Sequence, residues 1–245
     1  MTSFSSFTGA SIPLRNVIFN DFVSDVTPFG IARSNVATGN VASSSISNSS
    51  DGSLGVLTIS VGSATTFGTA FARCGVYLAE PAVAPTAIDR AWLCNRSEYY
   101  VESRIKTDCS NASTIVTVGL GLGHASSGLV IADYLVGFYS WGNEANWTAA
   151  VVSAGSIVTS KALSVPKKDW SVLSVELKSD NRTIVWHANG AEVFTKTLND
   201  GFFVDGNSAL PQVETRDKTS GGSGAGAQNT FIDYLMVADK PIISR

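Results

Sequence analysis

The chain has 245 residues, of which 44% are apolar and only 15% charged, and its formal net charge is −3. Its basic residues are scattered, with Lys167-Lys168 the single adjacent pair, so no basic stripe exists to neutralise phosphates and nucleic acid is excluded as a partner. The longest apolar stretch, Leu129 to Tyr139, is broken by Asp133 and is too short to span a bilayer, and Met1 to Asn16 lacks the pattern of a secretory leader, so the expectation is no membrane and synthesis in a cytoplasm.

In chain order, the Ser/Thr/Phe-rich opening lacks strand alternation and reads as an arm over residues 1–17 that orders against a partner. Asn20-Asp21-Phe22 begins the ordered part. Ser34 to Ser53, rich in Ser, Asn and Gly, reads as a long loop or a weak hairpin, and Leu54 to Val61 and Thr69 to Leu78 read as strands. Glu80 to Arg96, with Pro81 and Pro85, reads as a loop holding one helical turn. From Tyr99 to Ile105 the alternation is plain: Tyr99, Val101, Ser103 and Ile105 point one way, Tyr100, Glu102, Arg104 and Lys106 the other.

Thr114 to Leu122 and Gly128 to Trp141 follow as strands, with Gly119, Gly121 and Gly123 placed where a side chain would obstruct curvature or a close neighbour. Trp147 to Ser153 and Ser156 to Leu163 read as a hairpin around Gly155. Trp170 to Leu198 reads as a β-meander whose second turn is Asn189-Gly190, two residues that accept φ > 0. Gly221 to Ala227 reads as a loop, Phe231 to Val237 as the closing strand, and residues 241–245 as a tail. Many short strands with frequent turn signals, and no sustained 3.6-residue period, predict an all-β, two-layer antiparallel sandwich.

Asn20-Asp21-Phe22, the Gly-flanked strand, Tyr99 to Ile105 followed by Val118-Gly119-Leu120-Gly121, His187-Ala188-Asn189-Gly190 in the meander, and Phe231-Ile232-Asp233-Tyr234-Leu235 resemble, in their order, the concanavalin A-like jelly rolls. They are similar in particular to the laminin G-like versions found in tailed-bacteriophage structural proteins. The resemblance covers residues 18–240 and implies two curved antiparallel sheets with the first and last strands side by side. That pairing would bring Asp21 near Asp233, a setting for a structural calcium ion.

Site chemistry is sparse. The glucanases of that family use an E-x-D-x-x-E strand, which this chain lacks; Glu98 and Glu102 flank Tyr100 on one face, but four residues along a strand separate backbones by about 13 Å, so they read as a solvated face paired with Arg104 and Lys106. Gly222-Ser223-Gly224 lacks the spacing of a serine-hydrolase elbow, and Gly119-Leu120-Gly121-Leu122-Gly123 that of a dinucleotide loop. His124 and His187 read as ordinary strand or loop residues. Cys74, Cys94 and Cys109 form no C-x-x-C pair and read as buried free thiols, and the N-x-[ST] triplets at Asn48, Asn95, Asn111, Asn146 and Asn181 as chance matches.

Catalytic, cofactor and metal sites are therefore not expected. One cluster suits a sugar: Tyr139, Trp141, Asn143, Glu144, Asn146 and Trp147 combine rings for stacking with polar groups for hydroxyls, unless the rings merely close the end of the core. The resemblance, the missing carboxylate pair and the charge-poor surface lead to the expectation of a non-enzymatic virion component of a tailed phage, a decoration, fibre or tail-associated jelly roll. Its partners would be other virion proteins and copies of itself, a trimer among the options. A module binding host-surface glycans is the alternative, and a glycoside hydrolase ranks last.

Overall fold

The computed structural model describes residues 4–5, 11–12, 16–22, 29–35, 41–47, 55–62, 71–78, 96–122, 134–153, 155–180, 182–199, 210–218 and 228–241. Among them the regular structure is entirely β, in antiparallel pairs. Two short strands, β1 (Phe4–Ser5) and β2 (Ser11–Ile12), pair with each other. One large sheet holds β3 (Asn16–Asn20), β5 (Val41–Ser47), β6 (Val56–Gly62), β8 (Arg96–Thr107), β13 (Ser171–Leu177), β14 (Thr183–Ala188), β15 (Ala191–Thr197) and β17 (Gln228–Pro241). The other holds β4 (Phe29–Asn35), β7 (Phe71–Leu78), β9 (Thr114–Leu122), β10 (Tyr134–Trp141), β11 (Asn146–Ser153), β12 (Ser156–Pro166) and β16 (Leu210–Lys218).

The order is β15-β14-β13-β8-β17-β6-β5 in the first sheet and β12-β11-β10-β9-β16-β7-β4 in the second. The closing strand β17 lies at the centre of the first: β8 runs along one side, and on the other β6 and then β3 are placed end to end. The first and last long strands thus pair, as the resemblance implied. Between the two partners β17 carries a bulge at Asp233, which shifts the register against β8.

Alternation along the strands makes the two layers pack. Tyr99, Val101 and Ile105 of β8, Leu173, Val175 and Leu177 of β13, and Trp186 of β14 face inward from the first sheet. Val116, Val118 and Leu120 of β9, Val136 and Phe138 of β10, Trp147, Ala149 and Val151 of β11, and Val213 of β16 meet them from the second. Burying such side chains is the main favourable contribution to folding. In the meander, Asn189 and Gly190 have φ of 51° and 81°, and Asn189 is pinned to β13 by its own N–H donating to Val172 O at 2.8 Å and by its Oδ1 accepting from Val172 N at 2.9 Å.

The stretch read as a loop or weak hairpin at Ser34 to Ser53 differs: β4 ends at Asn35 and β5 begins at Val41, and the two belong to different sheets. Its Ser and Asn content hides strands because flanking neighbours, rather than intrinsic preference, supply the pairing. The strand read from Gly128 is described from Tyr134 onward. The loops read at Glu80 to Arg96 and Gly221 to Ala227 lie, but for Arg96 at the start of β8, outside the described residues.

The layers are keyed together at Gly137. The buried Trp186 indole Nε1 donates to Gly137 O at 2.8 Å across the sandwich. Gly137 pairs directly with Gly119, whose φ is +138°, and a Cβ on Gly137 would stand 2.1 Å from Val118 O while one on Gly119 would stand 2.4 Å from Val136 O. Both contacts are with backbone, so a side chain could be admitted only by moving the strands apart. Gly137→Ala is expected to lower the unfolding free energy by about 3 kcal/mol or more, read from the urea midpoint, whereas a neutral effect would show that the pair is not tightly apposed.

Candidate functional site

The six residues expected to form a sugar platform divide between three settings. Trp147 is fully buried on the inner face, inside the main core, so it is unavailable to a ligand. Tyr139 lies on the outer face of the seven-stranded sheet in a small cluster with Ile115, Leu135, Ala150 and Val152, and Trp141 packs against that cluster while staying partly exposed. Asn143 and Glu144 occupy the turn between β10 and β11 and Asn146 opens β11; Glu144 Oε2 accepts from Trp141 N at 3.0 Å.

Lys167 fixes this turn. Its side chain is buried, and Nζ donates to Trp141 O at 2.6 Å and Gly142 O at 2.7 Å, while its backbone N–H donates to Ala145 O at 3.0 Å. Burial pulls the ammonium below the ordinary lysine value. Gly142 is required here, since a Cβ would meet Asn111 O at 2.0 Å. The loop is thus a braced structure that holds Trp141 at the rim.

Beside it the strand register assembles a second group, which sequence reading did not single out. On the outer face, Gln212, Glu214 and Arg216 of β16 stand opposite Gly119, Thr117 and Ile115 of β9, and these stand opposite Gly137, Tyr139 and Trp141 of β10. One wall is polar and the other aromatic. The strip between them, Gly119 and Thr117, is bare or small.

The polar wall is buried: Gln212 and Glu214 are each 1% exposed and Arg216 is 6% exposed. Arg216 Nε lies 3.2 Å from Glu214 Oε1 in an ion pair. Gln212 Nε2, Gln212 Oε1 and Thr117 Oγ1 find no hydrogen-bond partner among the described residues. Burial, with the Glu144 charge, holds the Tyr139 phenol above its ordinary value, so it remains a donor. β16 was absent from the sequence reading, although Gln212, Glu214 and Arg216 alternating with Val213 and Thr215 is the signal that would have found it.

On the opposite sheet, Glu102 is not solvated as expected. It is fully buried, Tyr100 OH donates to its Oε2, and Tyr234 OH donates to Oε1 at 2.9 Å. Arg104 turns instead to Asp233 at the bulge, at 2.6 Å, and with Lys106 it lies over the Trp170 ring. Alternation fixed the outward direction of Glu102, but the tyrosines that enclose it come from strands far apart in sequence.

The strand pairing on which the calcium idea rested is present, yet Asp233 is engaged by Arg104, and among the described residues no group of three His, Cys, Asp or Glu side chains is placed to hold a metal. Cys74 and Cys109 are buried free thiols, and burial pushes the Cys109 thiol up to about 11; Cys94 lies outside the described residues. Among the described residues no helix is long and apolar enough to cross a membrane.

No family model and no curated protein matches this sequence. Solved structures do match in shape. A Shewanella oneidensis protein of unknown function is 20% identical, with 94% of this chain and 88% of that one covered and a TM-score of 0.55. Bacillus licheniformis β-glucanase is 8% identical, over 91% and 97% of the two chains, with a TM-score of 0.51. A family 7 alginate lyase, A1-II′, solved with its substrate, is 12% identical, over 82% and 83%, with a TM-score of 0.51. At such identities the likeness establishes the fold class: a concanavalin A-like jelly-roll sandwich.

The Tyr234 phenol is raised well above the ordinary tyrosine value, first by burial and then by the Glu102 carboxylate. A raised folded-state value means that its contribution is complete below the unfolded value, about pH 10, and is lost as pH climbs beyond it. The urea midpoint is therefore expected to fall steeply between about pH 10 and 11, and less steeply in Tyr234→Phe; equal slopes would remove this phenol from the account.

Proposed function

We propose that this chain is a carbohydrate-binding module without hydrolytic activity, and that its ligand lies on the outer face of the seven-stranded sheet between Trp141 and the polar wall of β16. The observation that carries this reading is the juxtaposition of a partly exposed, braced Trp141 and Tyr139 with the buried, unpartnered amide of Gln212. A sugar ring has an apolar face that stacks on aromatic side chains and a rim of hydroxyls that both donate and accept. The two walls offer those two surfaces. A polysaccharide is the first ligand class to test because β-glucanase and alginate lyase are carbohydrate-acting proteins built on this fold.

Trp141→Ala is expected to weaken polysaccharide binding about fivefold in titration calorimetry, with the fold retained, since a stacking contact contributes on the order of 1 kcal/mol. Unchanged affinity would count against the aromatic wall, and folded protein that binds no polysaccharide would defeat the reading.

A second reading, a structural component of a symmetric particle such as a tailed-phage virion assembled in the host cytoplasm, is supported by a different observation. The edge strand β12 is exposed along most of its length, with Ile157 and Val158 at 49% and 55%, and its one charged side chain, Lys161, is turned to Val193 O at 2.7 Å. Edges are ordinarily blunted by outward charge, and this one invites pairing. Sedimentation is expected to show an oligomer that Val158→Lys dissociates; a monomer at every concentration would remove the support.

A further inference from the structure

The charge balance of the β16 wall separates one saccharide class from another. Glu214 and Arg216 are on the same strand face, both are buried, and their side chains meet at 3.2 Å. The guanidinium that an acidic sugar would need is therefore already matched by a carboxylate that would repel such a sugar. Nearby, the Lys167 ammonium is bound to the carbonyls of Trp141 and Gly142 and supplies no compensating cation, while the Glu144 carboxylate that accepts from Trp141 N adds a negative charge.

Among the described residues of this face, the buried side chains with neither a hydrogen bond nor an ion pair are uncharged. The Gln212 amide has a donor and an acceptor side by side, and the Thr117 hydroxyl adds one of each. Neighbouring hydroxyls of a sugar match that set, one accepting from Nε2–H and the next donating to Oε1. The position next to Gln212 across the sheet is Gly119, where no side chain fits, so nothing from β9 occupies the place the hydroxyls would take.

We infer, resting on the carbohydrate-binding reading, that the ligand is an uncharged saccharide held by the amide of Gln212 and the hydroxyl of Thr117, and that Glu214 sets this selectivity by neutralising Arg216. Gln212 is 1% exposed, so binding includes a local opening. Association is correspondingly slower than for a rigid surface.

The test is affinity electrophoresis and calorimetry of the whole chain against neutral polysaccharides (β-glucan, mannan, galactan) and acidic ones (alginate, polygalacturonate). The wild type is expected to bind one of the neutral polymers at least tenfold more tightly than either acidic one. Gln212→Leu is expected to lose that binding at least tenfold without lowering the melting temperature, because it removes a buried amide that lacks partners in the free chain. Glu214→Gln is expected to admit alginate or polygalacturonate; where the exposed imbalance of Arg216 prevents folding, Gln212→Leu and Thr117→Val carry the test.

Preference for an acidic polymer would overturn this inference and leave the carbohydrate reading standing, whereas binding to neither group would overturn both. Neutral binding that survives Gln212→Leu would also overturn it, and would assign the amide to a buried water.

Discussion

The contact between the indole of Trp186 and the carbonyl of Gly137 is the constraint around which the sandwich is arranged. It sets how the two layers sit against each other, and it depends on two facing glycines that bring β9 and β10 too close for any side chain. The hydrogen bond is buried, so its absence would leave both groups without water or partner, which costs far more than the bond nets when formed. The inner face gains a fixed layer register, and the outer face gains a bare place at the facing pair Gly119 and Gly137.

That bare place links packing to chemistry. A sheet in an ordinary sandwich buries one face and exposes the other, with apolar and polar side chains alternating accordingly. Here both outer faces hold buried polar groups: Gln212, Glu214 and Arg216 on one, Glu102 with Tyr100 and Tyr234 on the other. They differ in satisfaction. The Glu102 cluster is closed on itself, each tyrosine donating to one carboxylate oxygen, and such completed networks stabilise and specify a packing arrangement. The Gln212 amide is not completed, and an unsatisfied buried amide is tolerated where function offsets its cost.

The rim of the site follows from a different economy. The β10–β11 turn is held by Lys167, whose ammonium caps two carbonyls, and by Glu144, whose carboxylate takes the N–H of Trp141. The Glu144 carboxylate within the loop and the Lys167 ammonium reaching it from just past the end of β12 brace its shape from two sides. Trp141 is thereby positioned in advance, which lowers the ordering entropy that binding would otherwise cost.

Sequence alone determined the layer architecture, because strand alternation at Tyr99 to Ile105, the Asn189-Gly190 turn and the spacing of short apolar runs are local signals with a fixed physical meaning. It also marked Gly119 as a place of close approach and grouped Tyr139 and Trp141 with the loop that follows them. It did not separate Trp147, which points inward, from Trp141, which reaches the surface, since the turn between them resets which face each residue takes. Nor did it disclose β4, the strand β5 within a Ser/Asn-rich stretch, the enclosure of Glu102, or the wall formed by Gln212, Glu214 and Arg216. Each of those rests on register between strands far apart in the chain, where burial and pairing are decided by neighbours that no local pattern contains; only the tertiary structure brings them together.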